Sequence, residues 1–105
     1  MIIEFRTYTV AHGQMDDYLQ RYEARGLPLL QRHLGRQLGC YVSEIGTLNQ
    51  VRHVWEFDSF SDREQRRSRL EADPEWQDFK RLNRGTFTHQ EVCIMKPTRF
   101  SQTIV

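Results

Sequence analysis

His53 stands two residues before Trp55 in the run QVRHVWEFD, residues 50–58. Strand alternation puts both on one face with Val51 and Phe57, and Arg52, Val54, Glu56 and Asp58 on the other. A part-buried imidazole beside a flat indole can serve as acid, base or ligand. Trp55 and Phe57 would wall a planar molecule, and Tyr18 or Tyr41 would supply a hydroxyl next to it. The plainer reading of the same residues is a core histidine satisfied by one hydrogen bond, packed against an ordinary core tryptophan, and it carries more weight.

A second set is charged. Glu4, Arg6 and Tyr8 alternate along the first strand, and Arg52 and Glu56 alternate along the third. If those strands are antiparallel neighbours, the two groups are expected to pair across them and to specify a dimer interface. Other chemistries lack their motifs. Neither a His-x-x-x-His pair nor a Cys-x-x-Cys occurs, so no metal site is expected. Gly-rich phosphate loops and Gly-x-Ser-x-Gly elbows are missing too, and no cofactor is called for.

The elements that must position these residues follow from periodicity. IIEFRTYTV (2–10) alternates as a strand, with Ile3, Phe5, Thr7 and Thr9 on one face. Residues 14–33 have helical spacing: Met15, Tyr18, Leu19 and Tyr22 form one stripe. Gly26 and Pro28 are expected to kink or break that helix. RQLGCYVSEI (36–45) is a second strand, the turn GTLN (46–49) follows, and 50–58 completes a hairpin. Ser61, with Glu64 three residues on, is expected to cap the next helix. Asp73-Pro74-Glu75 restarts helix, with Trp76 and Phe79 facing inward. Residues 86–96 form the last strand, and the tail TRFSQTIV is expected to pack on a partner.

The order β-α-β-β-α-β is the split βαβ arrangement of an α+β, ferredoxin-like domain: a four-stranded antiparallel sheet with helices on one face. Two helices cover one sheet face. Apolar residues stand on both faces of the first strand, Ile3 and Phe5 against Ile2, Tyr8 and Val10. Two-sided burial, and therefore a homodimer formed through the sheet, is the expectation.

Bulk properties narrow the partners. The chain has 105 residues, one domain's worth, and buries only about 60–65% of its unfolded surface, so a second subunit would help it. Fifteen basic and 14 acidic residues leave a net charge of +1, which argues against nucleic acid and acidic membranes as partners. The densest charge run, residues 62–84, holds seven basic and six acidic residues and reads as a solvated helix face. Two cysteines, each within a strand-like run, are too few for a disulfide framework. No apolar run approaches the ~20 residues of a membrane span, and MIIEFRTYTV has no signal-peptide pattern. A cytoplasmic protein is expected.

MIIEFRTYTV, the hairpin SEIGTLNQVRHVWEFDS and the segment LEADPEW together resemble the NIPSNAP family, over residues 2 to about 100. That resemblance implies a dimeric α+β barrel in which two ferredoxin-like sheets face each other. It implies no settled reaction: the wider superfamily includes cofactor-free monooxygenases, lactone isomerases, haem-degrading enzymes and ligand-binding modules. Three functions follow as expectations. The first is a small apolar or aromatic molecule bound in a sheet–helix pocket. The second is a monooxygenase or isomerase with His53 as acid or base. The third is an interaction module whose dimer is the working unit.

Overall fold

The computed structural model describes residues 1–101. Four strands, β1 (Ile2–Val10), β2 (Gln37–Val42), β3 (Gln50–Phe57) and β4 (Phe87–Met95), form one antiparallel sheet in the order β2-β3-β1-β4. Four α-helices, α1 (Met15–Arg21), α2 (Leu27–Leu34), α3 (Phe60–Glu71) and α4 (Pro74–Leu82), fill the two crossover connections, β1 to β2 and β3 to β4. This is the ferredoxin-like α+β topology that the element order predicts. The core lies between sheet and helices. Val51, Trp55 and Phe57 from β3 pack there with Leu30, Leu70 and Phe79. Among the described residues no helix is long and apolar enough to cross a membrane.

Gly26 and Pro28 do not break the first helical connection. Backbone angles stay right-handed helical through Arg21, Gly26 and Leu27, and α1 runs into α2 through one π turn, Tyr22–Gly26. The wider turn takes up the donor that Pro28 lacks and the clash its ring would cause. Gly26 has a different task. A Cβ there would sit 2.6 Å from Cζ of Phe79, so the bare backbone lets α4 close on this helix.

The hairpin loop is longer than a four-residue turn. β2 ends at Val42 and β3 begins at Gln50, and residues 43–49 lie between. Ser43 closes it: its N–H donates to the Gln50 carbonyl at 3.0 Å, and its hydroxyl accepts from the Gln50 N–H at 3.0 Å. Gly46 and Asn49 take the positive φ values, 103° and 63°, that the reversal requires.

The cap of α3 is Ser59, not Ser61. Ser59 is extended, and its hydroxyl accepts from the Asp62 N–H at 3.0 Å. Asp62 reaches back to the Asp58 N–H at 3.0 Å, the job expected of Glu64. At the start of α4, Asp73 caps the Glu75 N–H at 2.9 Å with Pro74 in the first turn, as its sequence predicts. The expected docking of the tail falls partly on residues 102–105, outside the described residues.

Candidate functional site: a cleft between sheet and helices

A cleft of about 420 Å³ opens between the sheet and the two helical connections. Tyr8, Trp55 and Phe87 wall it from the sheet, Tyr18 and Tyr22 from the first helical connection, and Trp76 and Phe79 from α4. The aromatic wall is continuous: Tyr8 and Phe87 lie 4.7 Å apart between ring centroids, Tyr18 and Phe87 5.2 Å, and Trp76 stacks on Phe79 at 5.6 Å. Such walls provide large apolar area in fixed orientation.

His53 forms part of the inner wall and is 2% exposed. Nε2 lies 2.9 Å from the Tyr18 hydroxyl. Nδ1 lies 3.0 Å from the Gln37 amide nitrogen and 3.5 Å from Cys40 Sγ. With Gln37 donating to Nδ1, the ring proton sits on Nε2 and is shared with Tyr18. Burial, and then the nearby Arg6 charge, lower its pKa to about 4. The imidazole is therefore neutral near pH 7, and both its nitrogens are occupied by the protein.

Tyr22 stacks at 4.5 Å on the His53 ring, and its buried hydroxyl has no hydrogen-bond partner among the described residues. It lies near Gln37 without hydrogen-bond geometry. Burial raises the pKa of both Tyr18 and Tyr22, so both remain protonated donors.

Charge gathers toward the α3 side. Glu4 is fully buried, and each of its oxygens is held by an arginine: one by Arg6 Nε, the other by Arg63 Nε at 2.5 Å. Burial pushes this carboxyl up, but the two guanidiniums outweigh it and hold it below its ordinary value. Arg63 also pairs with Glu64 at 2.6 Å, and Arg6 reaches the Tyr8 hydroxyl at 3.3 Å. At the C-terminal end of α3 Glu71 is taken by Lys80 at 2.7 Å and by the Trp76 indole N–H at 3.3 Å. Arg67 and Arg84 line the cleft without a carboxylate partner among the described residues.

The structure gathers some of the expected residues and separates others. His53, Trp55 and Tyr18 share the cleft. Phe57 is 1% exposed within the core and does not reach the cleft lining. Tyr41 stands on the opposite face of the sheet, over Gly39 and beside Thr7 and Arg52. It cannot assist His53, because it is one residue out of phase with Cys40, the β2 residue paired with His53.

The expected charge pairing across β1 and β3 also fails. Glu4, Arg6 and Tyr8 pair in register with Trp55, His53 and Val51, all on the helix-covered face. Arg52 and Glu56 pair with Thr7 and Ile3 and lie on the other face. The antiparallel register is odd where the pairing needed it even, which turns the two charged sets away from each other. Glu4 instead finds its second cation on α3.

Sequence reading missed Tyr22, Gln37, Arg67, Glu71 and Phe87. A signal for two of them exists: Arg63, Arg67 and Glu71 recur every four residues and so share one stripe of α3. The surrounding arginines hide it.

A four-stranded antiparallel sheet with helices on one face and a lined cleft between the layers defines a ferredoxin-like α+β domain with a ligand-sized cavity. The NIPSNAP family model matches residues 3–102, and the chain belongs to the NIPSNAP family. Protein Atu4242 of Agrobacterium tumefaciens, described as a NIPSNAP family protein with unknown function, is 42% identical, with a TM-score of 0.94 over 96% of this chain and 97% of that one. An uncharacterized NIPSNAP domain protein of Burkholderia xenovorans is 35% identical, with a TM-score of 0.94 over 98% of this chain and all of that one. Human protein NipSnap homolog 3A is 33% identical over 76 residues, which are 71% of this chain. The chain spans only 30% of that relative's length.

Proposed function

We propose that this domain binds a small molecule with a flat apolar body in the sheet–helix cleft, as a homodimer in the cytoplasm. The cleft carries the proposal: its volume of about 420 Å³ falls within the range of small-molecule sites, and aromatic rings wall it from both layers. The saturated state of His53 favours binding over chemistry at that residue. An acid or base needs a nitrogen free to meet the substrate, and both are engaged. The reading with His53 as acid or base rests on its place in the lining, and catalysis would first have to break one of those hydrogen bonds.

The homodimer reading is supported by the uncovered sheet face. Ile3, Phe5, Val54, Cys93 and Met95 lie together there by strand register, and Met95 is 56% and Tyr41 59% exposed. Apolar residues of this kind, with Arg52 and Glu56 beside them, favour a partner surface, and a second copy offers the same face.

Naphthalene-2-carboxamide, a neutral planar probe, tests the cleft. Titration into ¹⁵N-labelled protein should shift the indole N–H signals of Trp55 and Trp76. Trp76→Ala should weaken binding about tenfold, as loss of one aromatic wall implies. If both indole signals stay unmoved at millimolar probe, the cleft is not a binding site.

A further inference from the structure

The cleft has an electrostatic end that its aromatic walls do not explain. Arg6 and Arg63 hold one buried carboxylate, Glu4, and Arg67 stands near enough to feel the charge of all three. Glu4 has two oxygens, and Arg6 and Arg63 take one each. Glu64 pairs with Arg63 from solvent. The third guanidinium, Arg67, is part-buried in the lining and has no acidic partner among the described residues. The acid that does line the cleft, Glu71, is committed to Lys80 and Trp76. Burial, and then the charge of Arg6, pull Arg67 below the ordinary guanidinium value, as expected of a cation facing cations.

An isolated buried cation is costly unless a counter-charge meets it. Guanidinium is also the side chain best shaped to hold a carboxylate, through two parallel N–H donors. Tyr8 stands close to Arg67, and Trp76 lines the same cleft. Cationic and aromatic groups thus share one lining.

We propose that the molecule bound here is a planar acid, its carboxylate held by Arg67 and its apolar body lying along the aromatic wall. This rests on the cleft being a binding site, and it adds the chemical class of what the cleft takes.

The test compares two probes of one shape, naphthalene-2-carboxylate and naphthalene-2-carboxamide. Affinities come from calorimetry, and location from the Trp76 indole and Arg67 Nε–H signals. The carboxylate should bind about tenfold tighter than the amide, the usual gain from a charge-assisted contact. Raising salt to 0.5 M should narrow the gap. Arg67→Gln should abolish it, and Arg67→Lys should restore part of it. Equal affinity for the two probes in the native protein overturns the acid assignment and leaves the cleft reading standing. So does a gap that survives Arg67→Gln. Failure of both probes to bind overturns the cleft reading and this inference together. Should Arg67→Gln fold poorly, the native protein's probe contrast and salt dependence still decide.

Discussion

The two faces of the sheet both mix charged with apolar residues. The face covered by helices carries Glu4, Arg6 and His53 alongside Trp55 and Phe57. The uncovered face carries Ile3, Phe5, Val54 and Met95 together with Arg52, Glu56 and Glu91. Polarity is therefore a poor guide to which side is inside. What separates the faces is satisfaction. The buried Glu4 and His53 of the helix-covered face each have a partner delivered by another element: Arg63 from α3 for Glu4, Tyr18 from α1 for His53. Those partners offset desolvation, so the charges can stay buried. Across the sheet, the exposed apolar residues have no such cover within the described residues.

That contrast can be broken at its strongest point by removing Glu4. Glu4→Ala leaves Arg6 and Arg63 buried around an empty site, and should cost about 3–5 kcal/mol in urea unfolding. A loss under 1 kcal/mol would mean the buried pair is idle.

His53 sharpens it through pH. Its folded pKa, about 4, lies below the ordinary histidine value, so the unfolded chain takes the proton more readily. Its contribution is full above about pH 6.5 and is lost as pH falls toward 4, on the order of 3 kcal/mol over that window. Glu4, with its lowered pKa, adds a further loss only below its own unfolded value. His53→Phe should flatten the stability profile between pH 6.5 and 4. A profile equally steep in that variant would assign the loss elsewhere.

The open face is tested by Phe5→Asp. Analytical ultracentrifugation should show the proposed dimer weakened about a hundredfold, with a folded monomer of nearly unchanged circular dichroism. An unaltered dimer would move the interface off this face. The smallest effect belongs to Arg52, whose guanidinium makes one hydrogen bond, to Thr7 at 3.1 Å. Arg52→Ala should change monomer stability by about 0.5 kcal/mol or less; a loss matching that of Glu4 would erase the distinction between the faces.

Much of the fold was legible because its signals are local. Alternation in IIEFRTYTV and QVRHVWEF marks strands, and Asp73-Pro74-Glu75 marks a helix start. Errors arose where local signals compete. Ser59 and Ser61 can both cap, and Asp62 decided for the first by bonding back to Asp58. Pro28 was absorbed by a π turn that no residue type announces. The cleft was legible only in part. His53, Trp55 and Tyr18 have the right types and phases, whereas Tyr41 has the right type on the wrong face.

The amino-acid sequence by itself determined the element order, the two-faced strands and the family, since all three live in the periodicity and wording of short segments. Tertiary structure alone decided which strand face meets the helices and who pairs with whom. Register between β1 and β3 set Arg6 opposite His53, and α3 brought Arg63 to Glu4 from about sixty residues away and Arg67 to the cleft. Long-range pairing of that kind depends on distances that no local pattern encodes. That is why His53 becomes a satisfied wall of the cleft, and why an arginine lost in a charged run becomes its unpaired cation.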